Sequence, residues 1–400
     1  MLASLITQCA HGSPSYNDLA ADIENRYDTD PSRQAVAQRL NKDFENFLEA
    51  ILGQVMAIKI KEELRSGQLD PSVFRNYGRV LVQDSTVIKL PTALFDIFSG
   101  VSNAHSSVCN ARIQAVYDLR NGRLVSFAID PYSKNDLSAA PELQIMEGDL
   151  VLRDRGYLTA EEMQRHSDAA AHFIYRHKTG TTYLDPQTHK PIDLPAMLKQ
   201  SGKLDMEVLL NNDRRTPVRL LATPVSKEIA DLRRMRAKKE TKGHNPSQAV
   251  LELMDWTIFL TNIPATSAEF REIFGIYGLR WRIEVIFKAW KSHLKFDDLH
   301  EVSERQLQIL LKTRLLLIAA ASSLYQPLER AVWKKYRKRL SLLKFMKYLG
   351  TSARQLWRVV QWSLANNPDR ESIENALGRY CCYDKRKKRL NFSEIWESLA

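Results

Sequence analysis

The chain reads as an α/β protein: a mixed sheet flanked by helices, interrupted by a β-rich insertion and bracketed by helical regions at both ends. Three observations predict this. Apolar residues recur at helical spacing up to about residue 76, the period changes to that of strands from Arg79, and an antiparallel hairpin is then followed by a strand–helix–strand crossover.

Phe44, Phe47, Leu48, Ile51 and Leu52 mark the helical start, which runs into a polar, basic stretch ending near Pro71. Val80–Asp84 is the first strand. Ile113–Asp118 and Leu124–Ile129 are joined through Arg120-Asn121-Gly122-Arg123, whose Asn-Gly pair is the strongest short hairpin signal. A helix is expected around 136–147, then a strand over Asp149–Arg153 leading into Asp154-Arg155-Gly156-Tyr157. Thr159 and Glu162 form a capping box for the next helix, and His172–Arg176 is a further strand. A hairpin followed by a crossover does not suit a doubly wound sheet. From 178 to 262 the pattern is β-rich: Met206–Leu210, Val218–Ala222, a basic stretch from Lys227 to Lys242, and a strand from Trp256 to Asn262. Thr266 with Glu269 caps the next helix system, and Ser303 with Gln306 opens another. Beyond 326 the chain is helical and basic, with eight Lys or Arg against one acid over 327–350 and a second cationic run at Lys385–Arg389.

A length of 400 residues with 44% hydrophobic content can bury a sizeable core, in two or three domains. The formal charge of +11, spread over separate basic blocks, points to extended nucleic acid rather than a small acidic ligand. Cys9, Cys109, Cys381 and Cys382 lack the spacing of a zinc site or a disulfide framework, which fits a reducing cytoplasm. The most apolar stretch, Leu307 to Tyr325, is broken by Lys312 and Arg314, so no membrane segment is expected.

The chemistry concentrates in 277–291. Read as a helix, this stretch stacks Arg280, Glu284, Lys288 and Lys291 on one side, while Ile276, Leu279, Ile283, Phe287, Trp290 and Leu294 form an apolar stripe on the other. An ordinary amphipathic helix would look similar. The fixed spacing of Tyr277, Arg280, Glu284 and Lys291 is more specific: at about one in twenty per residue type, it should arise by accident in only a few chains per thousand of this length.

These four residues, with Asp84 closing an apolar strand and Asp154-Arg155-Gly156-Tyr157 following another, resemble the DDE transposases of bacterial insertion sequences, in the insertion-sequence-4-type group marked by the Tyr-Arg-Glu-Lys pattern. The resemblance covers roughly 79–325 and implies an RNase H-like core. It divides the chain into a helical DNA-binding region (1–78), a first part of the core (79–177), a β-rich insertion (178–262), a second part carrying the catalytic Glu (263–325) and a basic helical region for dimerisation or DNA contact (326–400).

It further implies that Asp84, Asp154 and Glu284 are the catalytic acids and metal ligands, holding two Mg2+ ions with Mn2+ as a substitute. Tyr277, Arg280 and Lys291 would contact phosphates, and Trp256 would stack on a base flipped from the element end. Gly156 would permit a tight turn beside the metals. Implied partners are double-stranded DNA, as terminal inverted repeats and target, and a second copy of the chain in a synaptic complex; the implied location is the bacterial cytoplasm, with the nucleoid when DNA-bound. Bland readings stand beside each assignment: an Asx turn at Asp84, a loop acid or cap at Asp154, a solvated cationic face for the helix, a buried strand residue at Trp256, and packing for Trp281, Trp290, Trp333, Trp357, Trp362 and Trp396. The C-terminal helices, with apolar Leu340, Leu342, Leu343 and Phe345 among cations, offer a dimer contact or another DNA face. The expected function is cut-and-paste DNA transposition, ending in transfer of a 3′ hydroxyl to target DNA. The alternatives are a catalytically silent, transposase-derived DNA-binding protein and a nuclease that cuts without joining.

Overall fold

The computed structural model describes residues 1–57, 72–100, 109–134, 143–240, 245–300, 302–362, 368–384 and 391–399. The change of period at Arg79 opens β1 (Val80–Lys89), which pairs antiparallel with β2 (Asn110–Asp118), itself antiparallel to β3 (Arg123–Pro131). Gly122 ends the β2–β3 connection at φ 61°, and a Cβ there would stand 2.5 Å from Gln326 Cγ, so both conformation and space demand glycine. The Asp118 carboxylate, buried under the turn, accepts from the backbone N–H groups of Arg120 and Asn121.

On its other side β1 pairs in parallel with β4 (Leu150–Arg153), and β4 in parallel with β5 (His172–Arg176) through the crossover helix α5 (Ala160–Asp168). Val80–Val82, Leu150–Leu152 and Phe173–Tyr175 are completely buried, as continuous apolar runs covered on both faces must be. The order β3-β2-β1-β4-β5, antiparallel on one side of β1 and parallel on the other, is that of an RNase H-like core.

The same sheet continues. β9 (Trp256–Thr261) pairs antiparallel with β5, followed by β8 (Pro217–Pro224), β7 (Leu204–Leu210) and β6 (Tyr183–Leu184), giving nine strands. These outer strands have their own apolar cluster around Val208, Leu220 and Leu260. Within this stretch lie α6 (Leu194–Ser201), the basic α7 (Lys227–Glu240) and α8 (Gln248–Leu253).

The chain then runs through α9 (Phe270–Gly278), a 3-10 turn at Leu279–Trp281 and α10 (Arg282–Leu294), so the stretch expected as one helix tightens in its middle. Its stripe of Ile276, Leu279, Ile283, Phe287, Trp290 and Leu294 is buried as expected. The 33-residue α11 (Glu304–Tyr336) is long and apolar enough to cross a membrane, yet 72% of its most apolar window is buried inside the protein. It is a core helix: Arg314 donates inward to the carbonyls of Gly12, Phe296 and Asp298, and Lys312 pairs with Glu45 and Glu49. Those two acids belong to α4 (Lys42–Ala57), which follows α1 (Leu2–Cys9), α2 (Tyr16–Tyr27) and α3 (Arg33–Arg39). After α11 come α12 (Leu342–Leu349), α13 (Ala353–Trp362), α14 (Arg370–Tyr380) and α15 (Phe392–Ser398).

Several local expectations are corrected. Asp84 does not close its strand: β1 runs five residues further because β2 keeps pairing with it to Lys89. Residues 143–147 form no helix; the rest of that expected helix, 136–142, lies outside the described residues, as do the basic residues of 58–71 and Lys385–Arg389. Thr159 caps α5, but Glu162 forms no reciprocal bond because its carboxylate serves the buried Arg153. α9 starts at a box of Glu269 and Glu272 rather than at Thr266, since Ser267 and Ala268 turn back onto the Pro264 carbonyl. Gly156 sits in an ordinary 3-10 turn with open space where a Cβ would be, so no tight turn requires it. Leu340, Leu342 and Phe345 are buried in the chain's own core and cannot offer a dimer contact.

Candidate active site

The parallel pairing of β1 and β4 ends at Gln83 opposite Arg153. Asp84 and Asp154 are therefore the next residues on two adjacent strands, where neighbouring backbones run about 5 Å apart. Side chains alternate along a strand, so the buried pair Gln83 and Arg153 faces one way and the two aspartates the other.

Glu284 comes from the first turn of α10 and meets this strand end through Arg280. The Arg280 guanidinium donates to Asp84 Oδ2 at 3.0 Å and to Glu284 Oε1 at 2.5 Å, spanning two of the three acids. Burial raises the Asp84 carboxyl to about 6; repulsion from Asp154 and Glu284 adds to the rise, while the Ser85 N–H, 2.8 Å from Oδ1, and Arg280 oppose it. Burial acts against the Arg280 cation, but Tyr277, Asp84 and Asp154 outweigh it and hold its pKa above the ordinary value.

The other two motif residues are tethered to strands. Tyr277 donates from its hydroxyl to the Arg153 carbonyl at 3.2 Å, immediately before Asp154, and packs its ring on Phe259. Lys291 Nζ donates to the Val87 carbonyl at 2.6 Å, fixing α10 against β1. Trp256 is half-buried at the start of β9, against the outer-strand cluster, and its carbonyl accepts from Arg233 at 2.7 Å.

A cleft of about 580 Å³ opens beside Asp154, lined by Arg155, Arg176, Arg233, Arg236 and Arg280 as well as that single acid. Burial, then repulsion from Arg176, lowers the Arg233 pKa. Five guanidiniums around a groove give it a strongly positive lining. Sequence reasoning missed Arg155, Arg176, Arg233 and Arg236 as a group. The basic stretch at 227–242 was visible, but its facing β5 is a matter of sheet order.

Among the described residues no three His, Cys, Asp or Glu side chains stand close enough together to hold one ion as they are placed. The donor chemistry nonetheless suits a divalent cation: hard carboxylate oxygens, two of them, on Asp84 and Glu284, already bridged by a positive group.

Residues 77–320 match the family described as Transposase DDE domain. The chain is 24% identical over 346 residues to the transposase for insertion sequence element IS231B of Bacillus thuringiensis subsp. berliner, covering 80% of this chain and 72% of that relative. It is 21% identical over 358 residues to the transposase for insertion sequence element IS1151 of Clostridium perfringens, covering 84% and 76%. Among solved structures, the piggyBac transposase synaptic complex with hairpin DNA matches 98% of this chain and 87% of that chain at 10% identity and a TM-score of 0.39.

Proposed function

The chain belongs to the transposase DDE-domain family, and on that premise we propose that it moves an insertion sequence by cutting at the element's terminal inverted repeats and joining the freed 3′ hydroxyl to target DNA. The single observation that carries this reading is the adjacency of Asp84 and Asp154 at the strand ends, with Asp154 lining the arginine-rich cleft and Arg280 linking Asp84 to Glu284.

Asp84, Asp154 and Glu284 would hold two Mg2+ ions, with Mn2+ as a substitute, which when bound activate the attacking water or hydroxyl and stabilise the departing oxygen. Arg280 leaves its two carboxylates and takes a phosphate bidentately, a use for which its planar fork is suited. Lys291 supplies a compact charge to a neighbouring phosphate. Tyr277, held against β4, keeps Asp154 in place and lends its edge to the DNA backbone. Trp256, whose carbonyl is held by the cleft residue Arg233, stacks on an extruded base, offsetting an unstacking penalty of a few kcal/mol. Two copies of the chain bring two ends together in a synaptic complex in the cytoplasm, on nucleoid DNA.

The test is incubation with Mg2+ and duplexes carrying the segments that flank the coding sequence. Joined products are expected from the native chain, whereas Asp84→Ala, Asp154→Ala and Glu284→Ala each bind these duplexes without cutting them. Nicks without joining would make the protein a nuclease, and binding without any cleavage by the native chain would make it a silent DNA-binding protein.

A further inference from the structure

Two residues before Glu284, Arg282 is buried. Its guanidinium reaches away from the cleft. Nη1 donates to the Tyr383 hydroxyl at 2.5 Å, Nη2 donates to the Tyr325 hydroxyl at 3.1 Å, and Cζ lies 4.2 Å from the centre of the Phe392 ring. Each contact comes from a different segment: Tyr325 from α11, Tyr383 from the chain between α14 and α15, and Phe392 from the start of α15. The tyrosines are held in turn, Tyr325 by donating to the Leu340 carbonyl and Tyr383 by its backbone N–H to the Arg339 carbonyl at 3.0 Å.

A buried cation is a poor way to gain stability, because apolar residues of similar volume often serve as well or better. What the fork adds is direction. Residues two apart on a helix point about 200° from one another, so Arg282 and Glu284 lie on opposite sides of α10. With both arms of the guanidinium held, α10 cannot rotate about its axis without breaking a buried hydrogen bond. A carboxylate about 6 Å from that axis moves about 1 Å for a 10° rotation, and a misplacement of that size can slow a reaction by about a hundredfold.

We propose that Arg282 is a positioning residue through which the C-terminal segment, by Tyr383 and Phe392, sets the rotation of α10 and hence where Glu284 meets Asp84 and Asp154. The inference rests on the reading of Glu284 as a metal-binding acid. It gives residues beyond 380 a part in cleavage at a distance from the DNA.

Tyr383→Phe removes one hydroxyl and keeps the ring, and Arg282→Lys keeps the charge and loses the fork. Both variants are compared with the native chain in Mn2+-supported nicking of supercoiled plasmid, in the Mn2+ concentration for half-maximal rate, in binding to a flanking-segment duplex, and in amide hydrogen exchange over 282–290 without metal. The expected result is nicking slowed roughly tenfold or more, a raised Mn2+ midpoint, faster exchange in α10 and unaltered DNA affinity. Native rates and midpoints per folded molecule in both variants overturn the proposal, whatever their melting temperatures. Glu284→Gln separates the two failures: if it nicks normally, the reading of Glu284 falls; if it is inactive while Tyr383→Phe behaves as native, only the role of Arg282 falls.

Discussion

Arg280 and Arg282 lie two residues apart and face opposite regions of the molecule. Arg280 is shared between two carboxylates at the mouth of the cleft; Arg282 is buried among two tyrosine hydroxyls and an aromatic face. The contrast separates two uses of one side-chain type. A guanidinium paired with acids beside a cleft has competitors for its place, such as a divalent ion for the acids and a phosphate for the arginine. One held between tyrosine hydroxyls, with the buried Glu329 carboxyl close enough to feel its charge, is shut off from such competitors and serves as an anchor.

The largest expected effect comes from emptying the cleft face. Asp84→Ala or Glu284→Ala should lower cleavage by at least about three orders of magnitude, as loss of one member of a catalytic unit does, with DNA retention in a gel-shift assay intact. Cutting near the native rate by either variant would end the distinction between the two faces.

Stability should show the reverse asymmetry. Arg282→Ala strips partners from two tyrosine hydroxyls and is expected to destabilise by about 1–3 kcal/mol for each, whereas Arg280→Ala should cost about 1 kcal/mol in all. Urea denaturation of the two variants compares them directly, and equal losses would remove the contrast.

The pH response sharpens it further. The folded Asp84 carboxyl lies near 6, above its ordinary value of 3.8, so the native state binds this proton more readily than the unfolded chain. That contribution favours folding below pH 3.8 and is lost as pH rises through about 6. Asp84→Asn does not titrate there. Its unfolding free energy relative to the native chain, read from urea denaturation, should therefore climb between these pH values and level off above, by an amount on the order of 2–3 kcal/mol. A flat difference would show that Asp84 is not held in a desolvated, crowded site.

The smallest effect concerns the tether between the motif and β4. Tyr277→Phe loses the bond to the Arg153 carbonyl, worth about 1 kcal/mol, and should lower the melting point slightly in a thermal scan. A much larger loss would mean that Tyr277 supports more of the strand end than that one bond.

Much of this arrangement was legible in the chain. The hairpin around Asn121-Gly122 and the crossover into β4 and β5 were readable because period and turn chemistry are properties of neighbouring residues. The buried stripe from Ile276 to Leu294 and the spacing from Tyr277 to Lys291 were readable for the same reason. The continuation of β1 past Asp84 was not, since Ser85 and Thr86 look like a turn until β2 supplies them with partners. Nor was the arginine cleft, whose members come from 155, 176, 233, 236 and 280.

The sequence by itself determined the hairpin, the crossover strands, the apolar stripe that turns inward from Ile276 to Leu294 and the spacing of the four motif residues, because a helix or strand sorts side chains by spacing alone. Only the tertiary structure decided that Asp84 and Asp154 are neighbours, that the outer strands extend the core sheet, and that of two nearby arginines one holds acids and the other tyrosines. Those outcomes depend on which strands pair and which segments cover α10, and contacts between residues far apart along the chain leave no period in it.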